Sequence, residues 1–250
     1  MRLVWLVKLC GWTKFLSGRK VEAMKLRVSN QKTAALTLVE VVVVMAVFVI
    51  LVVIVLPGIS KAFRIAPQTA CAYNLKQISL SCQIWAQDNK AKYPMEVPIV
   101  DGGVMELATT GNVVAIFQIL SNQLCTPKVL FCPLNAERIP AKDFSPDFTA
   151  KNISYFVGLD ASPNSPLAVL AGDNNIMLGE NLVQPGIIAL TKESPIAWAK
   201  ARHVGWIQTN SFESGNVGLV DGSVKQKLAA RELREFINQT GLATNRLAIP

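Results

Sequence analysis

The chain has 250 residues, 51% of them hydrophobic, and a formal net charge of +8. That length suits one membrane anchor and one domain of ordinary size. The basicity is not a nucleic-acid signature: Arg2, Lys8, Lys14, Arg19, Lys20, Lys25, Arg27 and Lys32 against Glu22 place +7 of it in residues 1–35, and the rest of the chain is close to neutral.

Residues 1–35 read as a basic leader. Met24 opens a shorter leader, MKLRVSNQKTAA, and is the expected start of translation; the alternative is a long leader whose apolar LVWLVKLCGW stretch is interrupted by Lys8. Lys and Arg hold such a segment on the cytoplasmic side, which places everything after Pro57 outside the cytoplasmic membrane.

Residues 36–57 form the expected transmembrane helix. Leu36–Leu56 carries one charge, Glu40, and one hydroxyl, Thr37, and Val41–Leu56 is apolar without a break. As a helix it spans about 31 Å, close to the roughly 30 Å hydrocarbon core of a bilayer. A lipid-facing strand leaves its backbone unsatisfied, so a helix is expected despite the many valines. The run exceeds the apolar core of a signal peptide, about 7–15 residues. A carboxylate inside such a helix is costly and marks a functional candidate. Its best partner is a free α-amino group on a neighbouring copy.

Residues 58–93 are expected to continue the helix, bent rather than ended at Pro57. Cys71, Leu75, Ile78, Cys82 and Trp85 recur at helical spacing and form one apolar stripe; Tyr73, Leu80 and Ile84 form a narrower one roughly opposite. Two stripes fit a helix packed on its own domain and on neighbouring copies, or a helix buried on both sides within one domain. Tyr93-Pro94 ends the segment.

Residues 94–250 read as the head. A short helix is expected at Val113–Leu120, a short strand at Lys128–Cys132 and a loop at Asp143–Thr149. Further strands are expected at Ile153–Leu159, Leu167–Ala171, Gly186–Leu190 and Val217–Val220. Asp221-Gly222 lies between two apolar–polar runs and predicts a hairpin with positive φ at both positions. A last helix, Arg231–Thr240, buries Leu233, Phe236 and Ile237 and stops at Gly241.

The stretch TAALTLVEVVVVMAVFVILVVIVLP resembles the type IV prepilin signature. In that family a small residue, usually Gly, precedes the cut, an apolar residue follows it, and Glu stands fifth in the mature chain. Here Ala35 precedes the cut, Leu36 follows it and Glu40 falls fifth. CAYNLKQISLSCQIWAQDNKAKYP is similar to the second half of the first helix of pseudopilin-like proteins. ISYFVGLDA, VLAGDNN, GNVGLVDGSV and TGLATNRLAIP are similar to their heads. Many of these proteins carry a His, nine residues, then Asp-Gly; here the single His203 stands eighteen residues before Asp221, with Gly205–Gly215 as an apparent insertion.

The resemblance implies an α+β, pilin-like fold: a long N-terminal helix, transmembrane then amphipathic, packed on a small antiparallel sheet. It implies a single-pass protein of the bacterial inner membrane with a cytoplasmic N-terminus and a periplasmic head. Such a chain is cut at Ala35–Leu36 by prepilin peptidase, N-methylated on Leu36, and assembled through Glu40. Its partners are copies of itself, other pseudopilins and the inner-membrane platform of a type II secretion system; no nucleic acid is expected. Two alternatives stand beside this: a minor type IV pilin of an adhesion or DNA-uptake fibre, and a membrane-anchored monomeric binding or enzymatic domain.

No catalytic constellation is legible, so no enzyme activity is expected. His203 reads as a solvated or hydrogen-bonded histidine and Asp221 as a turn residue. No cofactor is expected. Calcium is a weak candidate: the family resemblance implies a head loop, and Asp173, Asn174, Asn175 and Glu180 offer hard oxygen donors without an EF-hand pattern, a solvated turn being the plainer alternative. Of five cysteines, Cys10 falls in the leader. Cys71 and Cys82 read as buried thiols of the stripe. Cys125 and Cys132 flank TPKVLF and are the candidates for a disulfide in an oxidising compartment.

Overall fold

The computed structural model describes residues 37–199 and 213–250. Cys10, Met24, Ala35, Leu36 and His203 therefore lie outside the described residues. The chain divides into a unit ending at Leu51 and a unit running Val52–Pro250.

The first element, α1, runs Leu38–Asp88, without interruption at Pro57. Its Leu38–Leu56 segment is long and apolar enough to cross a membrane, and none of it is buried. Further along, the expected stripe is the buried one: Cys71, Leu75, Ile78, Cys82 and Trp85 are at most 5% exposed. Tyr73, Leu80 and Ile84 remain exposed, at 62%, 52% and 39%. The helix ends where Lys90 and Ala91 enter the left-handed region, at φ 56° and 54°.

Short helices follow: α2 (Met105–Ala108), α3 (Val113–Ile119) and α4 (Ser121–Leu124). Asn112 caps α3, its side chain accepting from Ala115 N at 3.1 Å. The strand expected at Lys128–Cys132 is instead a 3-10 turn, Pro127–Leu130. Pro127 presets its first φ, and the Thr126 hydroxyl accepts from Lys128 N at 3.4 Å, so local bonding prevails over the apolar run.

The strands are β1 (Tyr155–Gly158), β2 (Val169–Asp173), β3 (Ile176–Leu178), β4 (Asn181–Leu182) and β5 (Gly186–Leu190). Then come β6 (Ile196–Trp198), β7 (Ser214–Leu219), β8 (Val224–Ala229), helix α5 (Ala230–Gln239) and β9 (Asn245–Ile249). Among the described residues they form a six-stranded sheet, β5-β9-β1-β2-β7-β8, and a three-stranded sheet, β4-β3-β6. Every pairing is antiparallel. The fold is α+β, with an apolar N-terminal helix and an antiparallel sheet.

The larger sheet is covered on both faces. Tyr155, Val157, Leu170 and Ala248 join the α1 stripe and Ile116, Phe117 and Leu120 in one core. Phe156, Val169, Leu247 and Ile249 point the other way, into a core with Ile176, Trp198, Leu233 and Ile237. This explains why β1 is apolar at every position instead of alternating.

The hairpin at Asp221-Gly222 is present, joining β7 to β8. Its turn differs from expectation: only Gly222 has positive φ, at 81°. Gly222 N donates to Leu219 O at 3.1 Å and Leu219 N to Ser223 O at 2.9 Å. This is a three-residue loop ending in a left-handed glycine, not a two-residue turn. It carries Val220 into the core under α1, where Gln83 Nε2 donates to Val220 O at 2.7 Å.

Candidate functional site

Two regions carry functional candidates: the start of α1, and the wall of the head around Asp173.

At the start of α1, Glu40 is not isolated. Its Oε2 accepts from Thr37 N and from Thr37 Oγ1, each at 2.8 Å, and Glu40 N donates to Thr37 Oγ1 at 3.3 Å. Thr37 and Glu40 thus form a reciprocal capping box, which satisfies donors that a helix start leaves open. Its signal in the sequence is Thr-x-x-Glu before an apolar run, a local partner for Glu40 that the expectation of an intermolecular one leaves out. Within one chain the box explains how a carboxylate is held at the end of an apolar helix.

The second part of α1 is fastened to the head by a disulfide and by side-chain hydrogen bonds, among them one from the Tyr155 hydroxyl to Cys71 O at 3.5 Å. Cys71 is disulfide-bonded to Cys132, with Cα atoms 5.1 Å apart. Asn74 Nδ2 donates to Phe131 O at 2.8 Å and to the Tyr155 hydroxyl at 3.2 Å; Gln83 adds its bond to Val220 O at 2.7 Å. The bridge corrects the expected Cys125–Cys132 pair and the reading of Cys71 as a thiol. Packing the stripe on the head brings Cys71 against the end of the Pro127–Leu130 turn, whereas Cys125 is an exposed thiol at the end of α4, with φ 60°. Cys82 is the buried thiol expected, its pKa pushed up to about 12 by burial.

In the head, β2 ends on Asp173, a half-buried residue whose carboxyl is its buried part. Asp173 Oδ2 accepts from Asn216 N at 2.8 Å and from Asn216 Nδ2 at 2.9 Å; Oδ1 is buried with no hydrogen-bond partner. Asn216 passes the network on, since its Oδ1 accepts from Lys227 N at 3.1 Å. Lys227 holds φ at 54° where the β7–β8 register shifts. The buried Asp173 carboxyl therefore does not belong to a solvated turn. Asn175 Nδ2 donates to Ala199 O at 2.9 Å, and Glu180 sits in the exposed turn between β3 and β4. Among the described residues no three His, Cys, Asp or Glu side chains gather as metal ligands. Asp221 is the turn residue expected, its Oδ1 accepting from Ser223 N at 2.7 Å, which lowers its pKa.

No protein-family model, characterised protein or solved structure matches this chain. The site is therefore read from its own chemistry.

Asp173, Asn216 and Lys227 line a cavity of about 340 Å³ between the two sheets and the segment after Cys132. Arg138 stands in its wall, Nη1 donating to Ala150 O at 2.8 Å and Nη2 to Pro250 O at 2.9 Å. Burial lowers the guanidinium pKa, and Glu137 beside it opposes that shift. Burial raises the Asp173 pKa from 3.8 to about 6, against the lowering effect of the two Asn216 bonds. The folded form therefore binds a proton more tightly than the unfolded form. Its contribution to stability is fully present below about pH 4 and is lost as pH rises through about 6. Urea denaturation at pH 4.5 and pH 7 is expected to show this component in the wild-type chain and its absence in Asp173→Asn, whose amide oxygen can still accept from Asn216. An equal pH response in both would assign the change to groups other than Asp173.

Proposed function

We propose that the chain is a prepilin-like structural subunit with a pilin-like fold, cut between Ala35 and Leu36 and methylated on Leu36. It assembles through α1 into the pseudopilus of a type II secretion system and has no catalytic role of its own. The observation that carries this reading is the division of α1. Leu38–Leu56 is an exposed apolar run, and beyond it one stripe is buried in the head while Tyr73, Leu80 and Ile84 stay uncovered. A helix serving only its own domain needs one apolar face. The uncovered residues suit the helices of neighbouring copies, and lipid holds the apolar run before assembly. The periplasm, where the head would lie, is a compartment in which the Cys71–Cys132 bridge forms and persists.

Processing tests the reading directly. Mass spectrometry of membrane-extracted protein is expected to find N-methyl-Leu36 as the first residue. Ala35→Arg is expected to abolish cutting, because a site shaped for a small residue excludes a long cation. Assembled protein that retains residues upstream of Leu36 would refute it. The cavity in the head favours a second reading, an anchored binding domain that stays monomeric. Crosslinking between exposed Tyr73 positions of neighbouring copies separates the two.

A further inference from the structure

We propose that the free edge of β5 takes up an extended, uncharged segment of a different protein as an added strand. That the partner is a different protein rests on the reading of the chain as one of many parallel stems; the open edge does not. Strands that end a sheet leave a row of N–H and C=O groups without a neighbour, and such edges recruit other chains unless they are defended. Among the described residues the two sheets end in β4 and β6, and in β5 and β8. β4 and β6 are two and three residues long, too short to template a partner. β8 exposes Lys225 and Lys227 and carries the register shift of the β7–β8 pair. β5 has none of these defences. Gly186–Leu190 carries no charge and pairs with β9 through five consecutive registers without a bulge. Among the described residues its one strand partner is β9, and no backbone hydrogen bond beyond that ladder reaches it. The turn at Gly111 packs against Gly186 without a backbone bond to it, and Ile187 and Ala189 remain exposed.

The chemistry of the edge selects the occupant. A row of backbone donors and acceptors is matched by another extended backbone, which presents the complementary row at the same spacing. Ile187 and Ala189 lie on one face of the strand, while Ile188 and Leu190 on the other join the second core. An added strand therefore meets apolar neighbours on both faces, which favours β-branched or aromatic residues in it. Lys192 and Glu193 follow β5 with opposite charges, and Arg246, opposite Ala189 on β9, is paired with Asp160. These charges cancel, so an uncharged segment suits the edge.

A second copy of the chain does not suit it. Two β5 strands joined antiparallel are related by a two-fold axis perpendicular to the sheet. α1 packs on a face of that sheet, with Leu75 and Ser79 over Gly218 of β7, so this axis reverses α1 between the copies. Stems in one fibre all run the same way. The β8 edge of a second copy has the right direction, because in a sheet of six antiparallel strands β5 and β8 run in opposite senses. Its two exposed lysines and its register shift bar the approach.

The test uses the full chain in detergent and, as the probe, a capped hexapeptide of alternating threonine and valine that carries a neutral fluorophore. Anisotropy is expected to show saturable binding, and hydrogen exchange is expected to slow at residues 186–190 when the peptide is bound. The same peptide N-methylated at every backbone nitrogen cannot form a ladder and is expected to bind at least tenfold more weakly. Versions with lysine or glutamate in place of threonine are expected to bind more weakly than the uncharged probe. Ala189→Lys gives β5 the defence that β8 has and is expected to weaken binding at least tenfold; Ile187→Lys, also at an exposed position, serves if Ala189→Lys does not fold. Ala189→Cys in a Cys125→Ser background is expected to give no disulfide-linked dimer on mild oxidation. Absence of saturable binding, equal binding of the N-methylated or a charged peptide, protection away from residues 186–190, or unchanged binding by a folded lysine variant would each overturn the proposal. Efficient linking through position 189 would also overturn it, by making a second copy the occupant. The peptide measurements bear on the edge alone, whereas the N-terminal mass and the Tyr73 crosslink bear on the fibre, so the two readings fail separately.

Discussion

Replacing Cys71 and Cys132 together with alanine is expected to lower the melting temperature of the head by about 10 °C while leaving its fold intact. The bridge joins residues 61 apart, and closing a loop of that length removes unfolded-state entropy worth about 4 kcal/mol at 25 °C. For a domain of roughly 150–250 residues, each kcal/mol moves the midpoint by about 2–4 °C. The fold should survive because α1 keeps its buried stripe and the Asn74 and Gln83 bonds to the head. Thermal unfolding followed by circular dichroism, with and without reductant, checks this. Reductant should reproduce the shift in the wild-type chain and have no effect on the double variant. Cys125 supplies an internal control: it is exposed and should react with an alkylating reagent without reduction, whereas buried Cys82 should react only on unfolding. A shift below about 3 °C would mean that the bridge closes a loop already restrained in the unfolded chain.

The elements legible in the sequence were those with a long or strongly marked pattern. The apolar run to Leu56 and the Cys71–Trp85 stripe repeat over many turns, so their helix and buried face could be read directly. Gly186–Leu190 is a strand from end to end as its residues predict, and α5 is legible in Leu233, Phe236, Ile237 and Gly241, although Phe236 is only partly buried. Elements set by tertiary partners were not legible. β3, β4 and β6 are two or three residues long, too short for any period to show, and exist because they pair with one another. β9 was hidden in TNRLAIP because its two neighbours, β1 and β5, lie far away in sequence. The disulfide failed for the same reason: nearness along the chain favoured Cys125, whereas nearness in space required knowing that the stripe faces the 127–132 turn. Asp173 looked like a loop donor because DNN reads as a turn. Asn216, more than forty positions on, is what draws its carboxyl inside.

Glu40→Gln is expected to remain membrane-bound and cut at Leu36, yet to enter filaments several hundred-fold less well than the wild-type chain. The capping box makes this the deciding substitution. Glutamine can still accept from Thr37 N and Oγ1, as Glu40 does, so it keeps the box and loses only the charge. If the carboxylate does no more than cap α1, Glu40→Gln should behave as wild type, and Glu40→Ala should lose about 0.5–2 kcal/mol of local helix stability. If it also pairs with the Leu36 ammonium of a neighbouring copy, glutamine should fail almost as badly as alanine. Removing one partner of a buried ion pair costs about 3–5 kcal/mol, which far exceeds the cap. Glu40→Asp completes the series by keeping the charge and shortening its reach, and should fall between. Insertion should be unaffected or slightly eased in the neutral variants, because a carboxylate opposes residence in hydrocarbon. Membrane fractionation reports insertion, mass spectrometry of the N-terminus reports cutting and methylation, and crosslinking of assembled fibres reports incorporation. Wild-type incorporation by Glu40→Gln would reduce Glu40 to a helix cap and leave assembly to the apolar faces of α1, whereas absence of incorporation by the wild-type chain itself would favour the anchored monomer.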